Sequence, residues 1–277
     1  MTLMELQRLL EQEGLQRITS ALLRCARPTI EVVATGTVDS SIRIGASKMG
    51  GLPDLHSSTE WPHWHEPMAF IGQFNLAEIG ELELDGDKLL PTKGLLSFFY
   101  ETDGEPLYSA RWGLPEGDNP RQLSRLEAAR AWRVLFYDGE IQNLNRRDAP
   151  LKLNKRGRFR PCQVSYRSAV TLPDVDGPEI SGLELQRNER RALIKLEPNV
   201  NRNVTGSDGH HLLGYPYGLG RPTLVDCDPA LSAEWTALPR AAVERRRKIE
   251  QEVNERWCRL LQVDSSRTWE WTGAGAA

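Results

Sequence analysis

The sequence contains one motif twice, and the second copy lacks the last part of the first. Short apolar segments bounded by glycine and proline make up both copies, which is typical of β-strands joined by tight turns. The repetition therefore predicts a duplicated β-rich unit. The first copy holds GGLPDL at residues 50–55, WP at 61–62, FIGQFNL at 70–76 and GLLSFFY at 94–100, and the second holds LGYPYGL at 213–219 and LLQVDS at 260–265. The sequence stops at Ala277 without a second GLLSFFY, so we expect an incomplete second repeat.

The first 28 residues predict a helical region. Thr2 and Glu5 have the spacing of a capping box, in which each side chain satisfies a backbone amide at the start of a helix. Leucines follow at steps of three and four residues, which gives one apolar stripe, and the helical pattern ends before Pro28.

Most of the remaining chain predicts strands and loops. We expect strands at residues 30–34, 40–44, 68–76, 94–100, 132–137 and 158–166, helices at 183–196 and 239–257, and loops at 50–67 and 198–209. The fold class is therefore mainly β with added helices (α+β).

The same pattern suggests one domain over residues 1–277 with four parts. These are the helical region at 1–28, a first β-rich repeat at 29–140, a basic strand segment and linker at 141–209, and the second, incomplete repeat with an inserted helix at 210–277.

Charge is distributed unevenly along the chain. The net charge is −3, yet residues 145–167 carry eight basic residues and one acid. A basic segment of this kind can attract a polyanion or an acidic protein surface, although a solvated strand and loop explains it as well. The remaining 27 basic and 37 acidic residues argue against nucleic acid as the partner.

Other features bear on the cellular location. No apolar stretch approaches the roughly 20 residues that span a bilayer, and the first residues do not resemble a signal peptide. The four cysteines form no CxxC pair, which fits reduced thiols in the cytoplasm. We therefore expect a soluble cytoplasmic protein.

Several motifs in the same order resemble the YwqG-like family, a bacterial family of unknown function with a mainly β fold. The resemblance runs from about residue 43 to residue 271. The matching segments are SKMGGLPDL at residues 47–55, EWP at 60–62, FIGQFNL at 70–76, GLLSFF at 94–99, HLLGYP at 211–216 and LLQVDS at 260–265.

The chain departs from that family at two places. His56 stands where the family usually has proline. Family members usually continue from the Gln-x-Asp strand into a final aromatic strand, whereas here the segment from Trp269 ends in Ala-Gly-Ala-Ala. A missing strand would leave an open sheet edge, so we expect self-association or a partner there. Some relatives lie near toxin genes, so the resemblance also implies an immunity-like role.

The polar pair inside each copy of the motif is the first candidate site. Alternation along a strand places Gln73 and Asn75 on one face, and likewise Gln262 and Asp264. If the two repeats pack about a pseudo-twofold axis, these four side chains converge. They would then form either a ligand pocket or a buried polar network that holds the repeats in register, and we favour the network. Trp61 and Trp64 could line a groove for a ligand.

Histidines provide two further candidates. His211 with Asp264 could act as the general base of a hydrolase, but we favour a histidine that joins two loops through hydrogen bonds. His56, His63 and His65 are a weak candidate set for a metal ion, because no cysteine completes it. Phosphate-binding, Rossmann and nucleophile-elbow motifs do not occur, so no cofactor is expected.

The sequence thus favours a non-enzymatic protein that binds another protein or a small molecule. The alternatives are a hydrolase that uses His211 and Asp264, and a nucleic-acid-binding protein that uses residues 146–167.

Overall fold

A computed structural model describes residues 1–34, 39–82, 89–101, 132–202, 210–215, 231, 234–235, 237–239, 241–256 and 261–262. Within these ranges the chain is mainly β with five α-helices, so the predicted α+β class is confirmed. The helices are α1 (Leu3–Gln12), α2 (Thr19–Cys25), α3 (Leu76–Gly80), α4 (Arg187–Arg202) and α5 (Val243–Arg256). The strands are β1 (Arg27–Ala34), β2 (Lys48–Met49), β3 (Asp54–His56), β4 (Ala69–Asn75), β5 (Leu95–Tyr100), β6 (Trp132–Tyr137), β7 (Leu144–Arg146), β8 (Cys162–Thr171), β9 (His210–Leu213) and β10 (Leu261–Gln262).

The chain divides into two compact units. The first comprises residues 1–33, 83–87 and 166–264, and the second comprises residues 34–82, 88–165 and 265–277. The comparison between the two motif copies involves residues outside the described ranges, so the duplication stays a prediction.

In the first unit, helices pack against the end of strand β8. The capping box of α1 is present: the Glu5 amide donates to Thr2 Oγ1 at 3.2 Å, and the Thr2 amide donates to Glu5 Oε2 at 2.8 Å. Side chains of α1, α2 and α4 form one apolar core with the end of β8. The buried members of this core are Leu6, Leu10, Leu15, Ile18, Leu22, Val170, Leu172, Ile180, Leu193, Leu196 and Val200.

The strands of the first unit are antiparallel. β9 pairs with β1 on one side and with β10 on the other, and His211 lies opposite both Glu31 and Gln262. Gly214 follows β9 with φ +73°, and a Cβ atom there would lie 2.6 Å from Thr171 Oγ1 and 2.8 Å from Thr29 Cβ. A larger residue could not bring these three segments so close together.

The second unit contains an antiparallel sheet and a small two-stranded ribbon. Strands β8, β2, β4, β5 and β6 follow one another in the sheet, and β3 pairs with β7 in the ribbon. The register places Lys48, Gln73, Ser97 and Leu135 in one row across β2, β4, β5 and β6. The apolar cluster of this unit consists of Leu55, Met68, Phe70 and Phe99, with Trp61, Trp64 and Leu135 packed against them.

Several predicted elements require correction. Residues 40–44 were expected to form a strand, but Asp39–Ser41 is a 3-10 turn and no strand follows it before β2. The strand predicted at residues 158–166 begins at Cys162 instead. The predicted loop at residues 50–67 contains the short strand β3. Residues 198–202 were expected to belong to a loop, but α4 continues through Pro198 to Arg202.

Candidate functional site

Gln73 occupies the centre of a buried polar network in the second unit. Its side chain is fully buried on β4. Gln73 Nε2 donates to Ala46 O at 2.8 Å and to Asp54 Oδ2 at 2.7 Å, while Gln73 Oε1 accepts from the Asp54 amide at 2.8 Å. Both ends of the amide group are therefore used inside the protein, and the side chain ties β4 to the start of β3.

The carboxylate of Asp54 contacts the two cations of this network. Arg146, which lies opposite Asp54 in the β3–β7 ribbon, donates from Nε to Asp54 Oδ1 at 2.9 Å. Lys48 Nζ lies 3.5 Å from the same oxygen, and the side chains of Lys48 and Asp54 are both fully buried. The Gly45 amide also donates to Asp54 Oδ2 at 2.9 Å. One carboxylate is thus shared by two cations, an amide side chain and a backbone amide.

The pKa of Asp54 lies below its usual range despite burial. Burial by itself raises the pKa of a carboxyl group, because it disfavours the charged form. The hydrogen bond from Arg146 lowers the pKa, and the charge of Lys48 and the hydrogen bonds from Gly45 and Gln73 lower it further. Asp54 is therefore ionised at neutral pH, and the two cations beside it favour that state.

Asn75 holds the same loop as Gln73, two residues further along β4. Asn75 Nδ2 donates to Gly45 O at 2.9 Å, and Asn75 Oδ1 accepts from the Ala77 amide at 3.0 Å, which caps α3. The Asn75 amide donates to Ser47 Oγ at 2.8 Å. Gln73 and Asn75 therefore share one face of β4, and together they position residues 45–47.

A cleft of about 210 Å³ lies beside Asn75. Three segments form its walls: the start of α3, the start of β5, and the turn that follows β6. The lining residues are Asn75, Ala77, Lys93, Gly94, Leu95, Tyr137, Asp138, Gly139, Glu140, Ile141 and Gln142. Three of them carry charge, with Lys93 as the cation and Asp138 and Glu140 as the anions.

The walls of this cleft fit closely against each other. Gly94 has φ +116°, and a Cβ atom there would lie 2.5 Å from Phe136 Cε2 and 2.9 Å from Tyr137 O. Tyr137 Oη donates to Glu140 O at 3.1 Å, which closes the turn after β6. A Cβ atom on Gly45 would in turn lie 2.3 Å from a side-chain carbon of Ile141. These contacts hold the walls of the cleft in place.

Trp61 and Trp64 belong to the apolar cluster of the second unit. Trp61 Nε1 donates to Met68 O at 2.9 Å, and its ring meets Phe99 edge to face at 5.6 Å between centroids. Both tryptophans are half-buried and pack against the cluster of Leu55, Met68, Phe70 and Phe99. Neither of them lines the cleft beside Asn75.

His211 lies in β9 of the first unit and is 2 % exposed. Thr29 Oγ1 is 3.4 Å from His211 Nδ1, a pairing that resembles a nucleophile beside a base. However, Thr29 is fully buried, and its hydroxyl donates to Leu212 O at 3.0 Å and to Leu213 O at 3.2 Å. The hydroxyl is thus engaged with the backbone of β9 and does not face solvent.

The second polar pair of the motif is described only in part. Gln262 lies in β10 opposite His211, while Asp264 falls outside the described residues. The predicted convergence of Gln73, Asn75, Gln262 and Asp264 therefore stays a prediction, as does the pairing of His211 with Asp264.

The three histidines of the long loop make separate contacts. His56 Nδ1 lies 2.7 Å from Ser58 Oγ, and the His56 ring stacks on Tyr137 at 5.8 Å between centroids. His63 forms an isolated bridge with Pro67, and the His65 ring lies 4.3 Å from that of Trp64. Among the residues that the structure describes, no group of three or more His, Cys, Asp or Glu side chains could hold a metal ion.

Sequence reasoning missed the charged half of the network. Lys48 and Asp54 lie in segments of turns and apolar strands, Arg146 lies in the basic segment, and neither pattern assigns them to a site. A signal was nonetheless present, because Lys48 and Asp54 belong to the SKMGGLPDL segment at residues 47–55 and Gln73 belongs to FIGQFNL at 70–76. Charged residues inside a motif of turns and apolar strands indicate a buried ion pair, since such residues are rarely buried alone.

The comparisons with known proteins agree with a domain whose role is open. The family model described as "Domain of unknown function (DUF1963)" matches residues 47–277, which include the network and the cleft. No curated protein matches the chain. Of the helices in the described part of the chain, none has both the length and the apolar character needed to cross a membrane.

Proposed function

We propose that this chain, which belongs to the DUF1963 family of domains of unknown function, is a non-enzymatic binding protein that takes a small molecule in the cleft beside Asn75. The observation that carries the proposal is the cleft itself, about 210 Å³ in volume and bounded by three segments that hydrogen bonds and close contacts hold in place. A site whose walls are held by their own contacts loses less conformational entropy on binding.

The volume and charge of the cleft limit the class of ligand. Its volume of about 210 Å³ lies below the roughly 300–1,000 Å³ of pockets for drug-sized ligands, which favours a small metabolite over a nucleotide cofactor. Lys93, Asp138 and Glu140 together give the lining a net charge of −1, which favours a small cation or zwitterion over an anion. We therefore propose a small amine or amino acid as the ligand class.

The hydrolase alternative receives less support from the described residues. Catalysis by His211 needs a nucleophile or a water molecule that can also reach a substrate. The neighbouring Thr29 hydroxyl donates to backbone carbonyls and is fully buried. A role for His211 in holding β1 and β9 together explains these contacts more directly.

The other functional hypotheses rest on the sequence. Nucleic-acid binding through residues 146–167 would draw on the exposed Lys152, Lys155 and Arg160, whereas Arg146 is engaged by Asp54. The immunity-like role and the YwqG-like relationship are supported by the motif resemblance alone. The cytoplasmic location likewise stays a prediction from the sequence.

Ligand-observed NMR with matched pairs of small molecules tests the proposal. Each pair consists of a primary amine or amino acid and a carboxylate of the same size and apolar content. We expect saturation transfer to members of the amine series, and we expect Ala77→Phe, which fills the cleft from the exposed start of α3, to abolish it.

Ser20→Phe serves as the matched control, because it adds the same side chain at an exposed position of α2 in the first unit. Binding that Ala77→Phe leaves intact would place the ligand elsewhere and overturn the proposal. The same conclusion follows if no amine or amino acid binds at millimolar concentration.

A further inference from the structure

Strand β6 presents three large apolar side chains to solvent on one face. Trp132 is 53 % exposed, Val134 is 42 % exposed and Phe136 is 50 % exposed. Successive side chains of a strand point to opposite faces, so these three alternate residues lie side by side. Exposed apolar side chains are ordinary when scattered, whereas a contiguous apolar patch of about 300–600 Å² is often functional.

The position of β6 makes this surface accessible to another strand. Within the described residues β6 pairs with β5 alone, through six regular residue pairs without a bulge, and it is the last strand of its sheet. Natural edge strands are usually protected by proline, by bulges or by charges on the exposed face. Strand β6 contains no proline and no bulge, and its one charged residue, Arg133, lies on the face opposite the stripe.

We propose that a second copy of this chain binds here, with the two β6 strands antiparallel about a twofold axis through Val134. Residues directly opposite each other in an antiparallel pair share a face, so an axis through a residue, and not between two residues, keeps the stripe continuous. The axis through Val134 pairs every residue of the stripe and keeps the two Arg133 side chains from lying opposite each other. With Val134 opposite Val134 of the second copy, Trp132 lies opposite Phe136 at both ends. Six apolar side chains then form one uninterrupted surface, with two aromatic cross-strand pairs.

Charge supports a second copy as the occupant. Arg133 is the only charged residue of β6, and alternation places it on the opposite face from the stripe. In the proposed register Arg133 faces Leu135 of the second copy, so no like charges meet across the axis. The sequence of β6 is therefore compatible with pairing to a second β6, and the pairing needs no partner strand of opposite charge.

The size of the surface predicts a weak dimer. Large aromatic side chains bury about 150–250 Å² each, and here roughly half of that remains exposed, so the stripe offers on the order of 300 Å² per copy. Stable interfaces bury about 1,200–2,000 Å² in total. The predicted dimer is therefore weak and reversible, and it forms only at high protein concentration.

Sedimentation velocity from about 5 to 500 μM tests the association. We expect the wild type to shift from monomer to dimer over this range. Val134→Glu should hold the protein monomeric by placing two carboxylates at the axis. Leu151→Glu, the same type of change at a 99 % exposed apolar residue outside β6, should leave the shift unchanged.

Disulfide trapping tests the register. Residues opposite each other in an antiparallel pair have Cβ atoms about 4.5–5.5 Å apart, so Val134→Cys should cross-link to itself under oxidation. A mixture of Trp132→Cys and Phe136→Cys should cross-link more than either variant alone. The wild type, treated in the same way, accounts for the native cysteines. Circular dichroism checks that each variant is folded, and Val134→Ser replaces Val134→Glu if the latter is not.

A wild type that is monomeric at 500 μM overturns the proposal. A dimer that Val134→Glu leaves intact also overturns it, because the surface would then lie elsewhere. The edge expected beyond β10 involves residues outside the described ranges, and Val134→Glu leaves any association through that edge unchanged.

Discussion

Arg146 Nε lies 2.9 Å from Asp54 Oδ1, and this contact brings a member of the basic segment into the interior of the second unit. The two residues are 92 positions apart in the sequence and face each other across the β3–β7 ribbon. The same guanidinium donates to Ile42 O at 3.0 Å. One charge therefore joins the ribbon to the loop before β2, and it is not available to an external polyanion in this arrangement.

Replacement of the central carboxylate should destabilise the fold strongly. We expect Asp54→Asn to lower the free energy of unfolding by about 3–5 kcal/mol, because the anion shared by Lys48 and Arg146 is removed. Urea denaturation followed by tryptophan fluorescence measures the change. Asp148→Asn, an exposed carboxylate in the same basic segment, should alter stability by less than about 0.5 kcal/mol. Equal effects of the two changes would show that the network adds nothing to stability.

The raised pKa of Glu197 leads us to expect that the folded protein loses stability as the pH rises. Burial, and then the nearby charge of Asp174, raise the pKa of Glu197 to about 7, while the hydrogen bond from Asn201 lowers it in part. The folded state therefore binds a proton between about pH 4.5 and 7 that the unfolded state has released, so the stabilisation is present below pH 4.5 and is lost as the pH passes 7.

Unfolding experiments at pH 5 and pH 8 measure this effect. Relative to Glu197→Gln, the wild type should lose about 1–2 kcal/mol between these values, less than full linkage because Glu197 is partly exposed. Glu244→Gln, with a side chain 84 % exposed, should keep the wild-type dependence. Parallel curves for the wild type and Glu197→Gln would contradict the assignment.

Asn201 should be essential to the end of α4. Its Oδ1 accepts from the Leu172 amide at 2.7 Å, and its Nδ2 donates to Leu172 O at 2.8 Å. Asn201→Leu removes the hydrogen-bond partner of two buried backbone groups, the N–H and the C=O of Leu172, so we expect a loss of about 2–4 kcal/mol. Asn199→Leu, at an exposed position of the same helix, provides the control in thermal unfolding. A melting temperature that falls equally for both variants would argue against a specific role of Asn201.

Substitutions at two glycines distinguish the stability cost of backbone strain from the cost of a steric clash. Gly14 and Gly50 both have positive φ, +78° and +64°. Around Gly14 no atom lies within 4 Å of an added Cβ, whereas at Gly50 that atom would lie 2.1 Å from Arg160 O. We expect Gly14→Ala to cost about 1–2 kcal/mol and Gly50→Ala clearly more, with chemical denaturation as the measurement. A Gly50→Ala protein as stable as Gly14→Ala would mean that the segment around Arg160 can move aside.

Local patterns in the sequence determined the elements that depend on neighbouring residues. The Thr2–Glu5 capping box predicts the start of α1, because its two hydrogen bonds span only three residues. Alternating and continuous apolar residues predict β1, β4, β5 and β6, because burial of a strand face is encoded at every second position. The Asp-Gly pair after Tyr137 likewise predicts the end of β6.

Tertiary contacts decided the elements and sites whose partners lie far away in the sequence. Residues 40–44 have the composition of a strand, yet Asp54, Gln73 and Asn75 bond to Gly45 and Ala46 and give this loop its own conformation. Helix α4 passes through Pro198, where the sequence predicts a loop, and Asn201 anchors its last turn to Leu172.

The spacing of Gln73 and Asn75 identified them as candidate site residues. It did not predict that Lys48, Asp54 and Arg146 belong to the same network. Alternation along a strand shows which side chains share a face and is silent about what lies opposite that face. Only the folded chain brings Asp54 within hydrogen-bonding distance of Gln73, 19 residues away, and of Arg146, 92 residues away. A buried carboxylate needs donors at about 3 Å, and that distance is set by packing in space and not by position along the sequence.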